Sequence, residues 1–291
     1  MTGSIAASGN VDSMVNYNDL TDHCFHSLFK NCSALTKAPE LPAMTLANSC
    51  YRIMFNNCTS LTKAPELPAT TLANGCYSYM FYHCISLTKA LELPATTLAN
   101  ECYSRMFYGC LSLTEAPELP AMTLADNCYE YMFNECTNLA IVHKLPATIL
   151  TSRCYLYMFY ACPSLKNVSE ILTPAQLADG CYEGMFADCG NLTEAPEELP
   201  AIVLANNCYK QMFHSCSRLK KAPYLPATDI LVNSCYQQMF MNCYLLENVS
   251  VAFGTPGSAV WPSTSNTGIE SSPRLIMYSL SVTSSNLIPA C

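Results

Sequence analysis

The sequence predicts an elongated right-handed α/β solenoid of about nine coils, each 26–27 residues long. Each coil is expected to supply one short parallel strand and one short helix or turn segment. The first observation behind this prediction is a cysteine pair, eight residues apart, that recurs nine times. The second is a phenylalanine five residues after each first cysteine and a leucine eleven residues after it. Repeats this short cannot bury an apolar face alone, so they stack on one another and share a continuous core. The first cysteines are Cys24, Cys50, Cys76, Cys102, Cys128, Cys154, Cys181, Cys208 and Cys235.

Positions in each unit are numbered from its first cysteine, which is position 0. In the third unit, Leu72, Cys76, Met80 and Cys84 lie four residues apart, and this spacing predicts a short helix or a run of helical turns. The following residues 86–90 predict a brief strand that ends before a proline, because proline cannot donate a ladder hydrogen bond. The invariant apolar positions are expected to form the structural core, namely Phe55, Phe81, Phe107, Phe133, Phe159, Phe186 and Phe213 with Cys76, Cys84, Cys102 and Cys110.

The two ends of the chain lack the cysteine pairs and are expected to act as caps. We assign residues 1–20 to an N-terminal cap, 21–251 to the solenoid and 252–291 to a C-terminal cap and tail. The segment NVDSMV is a candidate edge strand of the first cap. The tail holds Trp261, the only tryptophan, and the segment RLIMYSLSV is a candidate final strand.

Composition excludes several classes of protein. Hydrophobic residues make up 51% and charged residues 12% of the 291 residues, which argues against disorder. The net charge of −8 disfavours nucleic acid as a partner. No apolar run is long enough for a membrane-spanning helix, and no signal peptide is recognised at the N-terminus of this sequence.

The repeated unit MF-x-x-C-x-S-L-T-x-A-P-x-L-P resembles the unit AF-x-x-C-x-x-L-x-x-I-x-L-P of the BspA-like leucine-rich repeats, over about residues 21–251. Met-Phe stands where that family usually has Ala-Phe, and one extra residue precedes Leu-Pro. These departures resemble a subtype abundant in gut bacteria of the Bacteroides group. The resemblance implies an exported, cell-surface or secreted protein that mediates adhesion and protein binding without catalysis.

Three interpretations of the cysteines compete. Structural zinc sites favour cysteines two to four residues apart, whereas every pair here follows C-x₇-C. A disulfide within a unit fails if the segment is helical, because eight residues at about 1.5 Å rise separate the Cα atoms by about 12 Å. Columns of free, buried thiols are therefore expected, and disulfides between neighbouring coils stay open as an alternative.

No constellation predicts catalysis or a cofactor. The five histidines occupy unrelated repeat positions, and no cysteine is singled out beside one of them as a nucleophile would be. We therefore expect no enzyme activity, no metal and no cofactor.

Candidate binding residues lie where the repeat leaves the residue type free. Positions +13 and +16 carry charges on the strand side, and the interpretations are a solvated face of local Lys–Glu pairs or a docking surface for a protein. Positions +3 and +6 carry tyrosines that are expected to be exposed, either as tolerated surface residues or as anchors for a protein or a sugar ring. The candidates are Lys63, Glu66, Lys89, Glu92 and Glu118 on the strand side, and Tyr79, Tyr82, Tyr108, Tyr131, Tyr157 and Tyr160 on the other.

These observations predict a non-enzymatic surface protein whose partner is an extracellular or host protein. A carbohydrate-binding surface protein and a purely structural spacer are the alternatives.

Overall fold

The computed structural model of the protein describes residues 5–7, 9, 20–173, 176–199, 203–225, 232–247, 249–253 and 275–279. It has four strands, which are β1 (Ile5–Ala6), β2 (Leu35–Lys37), β3 (Val249–Phe253) and β4 (Leu275–Ser279). No helix occurs within these residues.

The cysteine-bearing segments are runs of four-residue turns. Alternate backbone N–H groups bond within the segment and to the next unit. Met80 N–H donates to the Tyr77 carbonyl three residues back, at 3.1 Å. Tyr77 N–H instead donates to the Cys102 carbonyl at 3.0 Å, and Phe81 N–H to the Met106 carbonyl at 2.9 Å. The same alternation recurs along the array, so a hydrogen-bonded ladder joins each unit to its successor.

Of the two predicted alternatives, a short helix or a turn segment, the described residues have the turn segment, and backbone conformation gives the physical reason. Positions −1, +3 and +7 have positive φ, as in Gly75 (57°), Tyr79 (57°) and His83 (55°). A left-handed residue at every fourth position prevents α-helical bonding and turns alternate N–H groups toward the neighbouring unit. This conformation costs about 1–2 kcal/mol for each non-glycine residue, and the hydrogen bonds between units must offset that cost.

The predicted strand is reduced to single parallel bridges in most described units. Lys63 bridges Lys89, and Glu115 bridges Ile141, both at position +13. Longer strands are blocked because proline follows two residues later in several units, as at Pro65, and proline has no N–H to donate. All pairings between the described residues are parallel, as expected for stacked coils.

Strands β1 and β4 lie within the residue ranges of the predicted N-terminal and C-terminal caps. β1 pairs in parallel with β2, and β3 pairs in parallel with β4 over five residue pairs. β4 falls inside the predicted final strand. The segment NVDSMV and Trp261 lie outside the described residues, and the cap boundaries stay predictions.

Two columns of stacked aromatic rings run through the core. The rings at position +1, which are tyrosines except for Phe25 in the first unit, and the phenylalanines at position +5 each stack on their counterpart in the next unit, with ring centroids 5.5–5.9 Å apart. From the second unit to the eighth, the side chains at positions 0, +4 and +8 are fully buried between these columns. The core phenylalanines and cysteines named from the sequence are all buried here.

The described cysteines are free, and most are buried. The thiols at position +8 donate to the phenylalanine carbonyl of the preceding unit, as in Cys84 Sγ to Phe55 O at 3.1 Å and Cys110 Sγ to Phe81 O at 3.2 Å. Burial raises the pKa of the Cys102 thiol to about 12, which suppresses the reactive thiolate. The first unit differs, because Cys24 is only half-buried and Cys32 is exposed.

Candidate binding surfaces

The charged residues predicted on the strand side are exposed, and three of them meet at a groove. Lys89, Glu92 and Glu118 line a cavity of about 550 Å³, together with prolines that include Pro94 and Pro117. The Leu-Pro segments of neighbouring units form its walls. Lys63 and Glu66 occupy the same repeat positions one unit earlier and are also exposed.

A second groove lies at equivalent repeat positions farther along the array. It has a volume of about 590 Å³ and is lined by Glu170, Glu194, Glu197, Lys144 and Lys221, among others. Because the hydrogen bonds between units keep equivalent positions in register, both grooves open on the same face. We call this face the Leu-Pro face. Carboxylates outnumber lysines in both grooves, so the face favours a partner with some positive charge.

His143 is a residue of this face that sequence reasoning left without a role. It lines the first groove, and its Nε2 lies 3.3 Å from Glu115 Oε1. The signal was present in the sequence, since His143 stands where three of the first four units have proline. Stacking of the units does not require histidine at this position, so His143 is a candidate for a role at the surface.

The tyrosines predicted to be exposed are half-buried instead. Tyr131 and Tyr157 stack at 5.2 Å. Arg105 lies between two tyrosines, 5.3 Å from the Tyr79 centroid and 4.5 Å from that of Tyr131. Neighbouring units therefore place these side chains face to face.

Tyr82 and Tyr108 form a second stacked pair at 4.7 Å. The Tyr108 hydroxyl donates to Glu135 Oε1 at 2.7 Å. A hydrogen bond with the Asp188 carboxylate, followed by burial, raises the pKa of Tyr160 to about 12. These hydroxyls are held by the protein itself.

Tyr157 reaches two units along the array, where its hydroxyl donates to Gln211 Oε1 at 2.6 Å. This reach depends on Gly184, which has φ +60° and lies beneath the ring. A Cβ added there would lie 2.2 Å from Tyr157 Cε1, so only glycine permits this ring position.

Sequence reasoning missed an Asn/Asp ladder at position −2. The Asn48 side-chain Oδ1 accepts the Asn74 N–H at 3.2 Å, and Asn74 Oδ1 accepts the Asn100 N–H at 3.1 Å. The sequence signal is the recurrence of Asn or Asp two residues before the first cysteine in every unit but one, where Ser152 stands. At that interruption a polar cavity of about 250 Å³ opens between Asp126 and Asp179.

The described residues contain no group of three or more His, Cys, Asp or Glu that could hold a metal ion. Within the same part of the chain, no helix is long and apolar enough to cross a membrane.

Comparison with protein families identifies six copies of the BspA type leucine rich repeat region, matched over residues 13–138, 51–193 and 156–255. The chain belongs to this family. Its members are repeat solenoids that are generally surface-associated, protein-binding and non-enzymatic, and the ladder of bonds between units fits that architecture. A search of curated proteins found no match.

Proposed function

We propose that the protein is a non-enzymatic, cell-surface or secreted binding protein, and that it mediates adhesion by holding an extracellular or host protein along its Leu-Pro face. The observation that carries this proposal is the pair of grooves of about 550 and 590 Å³ at equivalent repeat positions of that face. Two grooves in a row suit an extended polypeptide that makes many moderate contacts. A single convergent pocket would suit a small molecule better.

The chemistry of the grooves supports a protein as the partner. Pro94, Pro117 and Leu91 supply apolar contact in the first groove, and Glu92 and Glu118 supply charge at its sides. Apolar contact flanked by polar residues is the usual composition of a protein interface. The aromatic surface suits a glycan less well, because sugar stacking needs an open ring face and these rings cover one another.

The experiment compares wild type with two variants of equal charge change on a human extracellular-protein array and a glycan array. Glu92→Lys/Glu118→Lys reverses two carboxylates of the first groove. Glu101→Lys/Glu247→Lys is the matched control, because both residues are exposed and neither lines a groove. We expect protein binding by wild type and by the control, with at least tenfold weaker binding by the groove variant.

A third variant, Tyr82→Ala, tests the aromatic surface. Binding that appears on the glycan array alone, and that this variant abolishes, would contradict the proposal. So would protein binding that the groove variant retains in full. Circular dichroism confirms in each case that the variant is folded.

A further inference from the structure

The first four units carry two rows of like charge along the Leu-Pro face. Position +13 is lysine in three successive units, and position +16 is glutamate in four. We call these seven residues the charged stripe, and all are exposed. They are Lys37, Lys63 and Lys89 in the first row, and Glu40, Glu66, Glu92 and Glu118 in the second.

The stripe has no ion pairs of its own. Three ion pairs occur among the described residues, and none includes a member of the stripe. The expected local Lys–Glu pairs are therefore not formed. Instead like charges adjoin, because Lys63 and Lys89 are parallel bridge partners. Like charges in neighbouring units, about 4.8 Å apart, repel each other, and no ion pair of the stripe residues offsets this repulsion.

An apolar strip separates the two rows. Position +15 lies between them in sequence and holds Pro39, Pro65, Leu91 and Pro117 in the four units. Pro65 and Pro117 are half-buried, while the other two are buried. Across the face, a positively charged row is therefore followed by an apolar strip and then by a negatively charged row.

This order makes the face complementary to itself. Rotation by 180° about an axis that lies along the apolar strip places the lysine row of one molecule opposite the glutamate row of another. The opposite rows then pair on both sides, and the strips meet in the middle. An axis across the strip would instead place lysine on lysine and glutamate on glutamate.

We propose that the charged stripe binds the stripe of a second copy of this chain. The two stripes face each other across a two-fold axis, and the two arrays run parallel. Such an interface is isologous, so one surface is sufficient for both partners. The stripe ends where Glu115 replaces lysine and Lys144 replaces glutamate, which limits the contact to the N-terminal units. Because the stripe is confined to the first four units, we expect the association to be weak and transient. The proposal goes beyond the binding function but uses part of the same face, because Lys89, Glu92 and Glu118 of the stripe line the first groove; a dimer would cover that groove and leave the second one free.

Sedimentation equilibrium on the full chain over a wide concentration range provides the test, under reducing conditions that prevent disulfide dimers. We expect a monomer–dimer equilibrium whose dissociation constant rises at least tenfold from about 0.1 M to about 1 M salt, as the Debye length falls from about 10 Å to about 3 Å.

Two reversed chains make the test specific. Lys63→Glu/Lys89→Glu reverses two of the three lysines in the first row, and Glu66→Lys/Glu92→Lys reverses the two glutamates that would face them across the two-fold axis. Each is expected to be monomeric alone, and an equimolar mixture is expected to form a one-to-one heterodimer. The control Lys30→Glu/Lys166→Glu reverses two exposed lysines outside the stripe and should dimerise like wild type.

Three results would overturn the proposal. They are a wild-type chain that stays monomeric at every concentration, reversed chains that still form homodimers, and a control that loses dimerisation as fully as the stripe variants. Failure of the mixed chains to associate would exclude the parallel two-fold arrangement. Sedimentation of the chain alone measures self-association, whereas the protein array measures binding of a foreign protein, so failure of one proposal can be told from failure of the other.

Discussion

Buried thiols should make this protein unusually sensitive to alkaline pH. Burial raises the pKa of Cys102, Cys136, Cys154 and Cys189 from the ordinary 9.0 to about 12. Above pH 9 the unfolded chain loses these protons while the folded chain keeps them, so the free energy of unfolding falls as pH rises and continues to fall toward pH 12. At pH 10 each thiol contributes a loss of about 1.4 kcal/mol, or about 6 kcal/mol for the four.

This loss is a large fraction of the roughly 5–15 kcal/mol that stabilises a typical domain. The assay is urea unfolding followed by circular dichroism under reducing conditions, at pH 7, 8, 9 and 10. Between pH 7 and 8 the four thiols contribute a change of only about 0.2 kcal/mol, so this interval is the internal control.

A free energy of unfolding that stays constant from pH 8 to pH 10 would refute the reasoning. The variant Cys102→Ala/Cys154→Ala adds a second check. It removes two of the buried thiols that titrate with a raised pKa, so its pH dependence should be shallower than that of wild type, whatever its stability at pH 7.

Three further predictions follow from the packing. Phe133→Ala removes one ring from the phenylalanine column and should cost about 3–5 kcal/mol in urea unfolding; a wild-type midpoint would show that the column contributes little. Gly184→Ala should cost about 1–2 kcal/mol, because it combines a positive φ with a collision against a tyrosine ring, whereas Gly190→Ala would place its Cβ in ordinary contact with Ser217 Oγ at 3.7 Å, without a positive φ, and should be nearly neutral. Alkylation of the native protein, mapped by peptide mass, should label Cys32 and spare Cys58, and rapid labelling of Cys58 would contradict its burial.

The sequence alone was sufficient to establish the repeat and the composition of its core. Residues that recur at one position, such as Phe107 and Phe133, must occupy equivalent places in a stack, and an apolar residue at such a place is buried. The family follows from the same pattern. The prediction of free thiols also holds for the described cysteines, although it was reached through a helical spacing that the structure does not have.

The turn conformation could not be read from apolar spacing. Residues four apart, such as Cys76, Met80 and Cys84, lie on one side of a helix and equally on one side of a four-residue turn ribbon. Glycine at positions −1, +3 and +7, as at Gly75 and Gly184, was the available signal for left-handed residues. It was masked because most units place non-glycine residues there.

Only the tertiary structure decided which residues at the variable repeat positions contact one another. How much of the Tyr131 ring is exposed depends on the side chains that neighbouring units place beside it. These are Arg105 and Tyr157, which lie 26 residues away in sequence on either side, so the local sequence pattern does not predict their contact with Tyr131. The same holds for the unpaired rows that contain Lys63 and Lys89. Sequence determines which residue types recur, because burial is a property of each repeat position. Contacts between units depend on the stacking geometry, which exists only once the chain has folded.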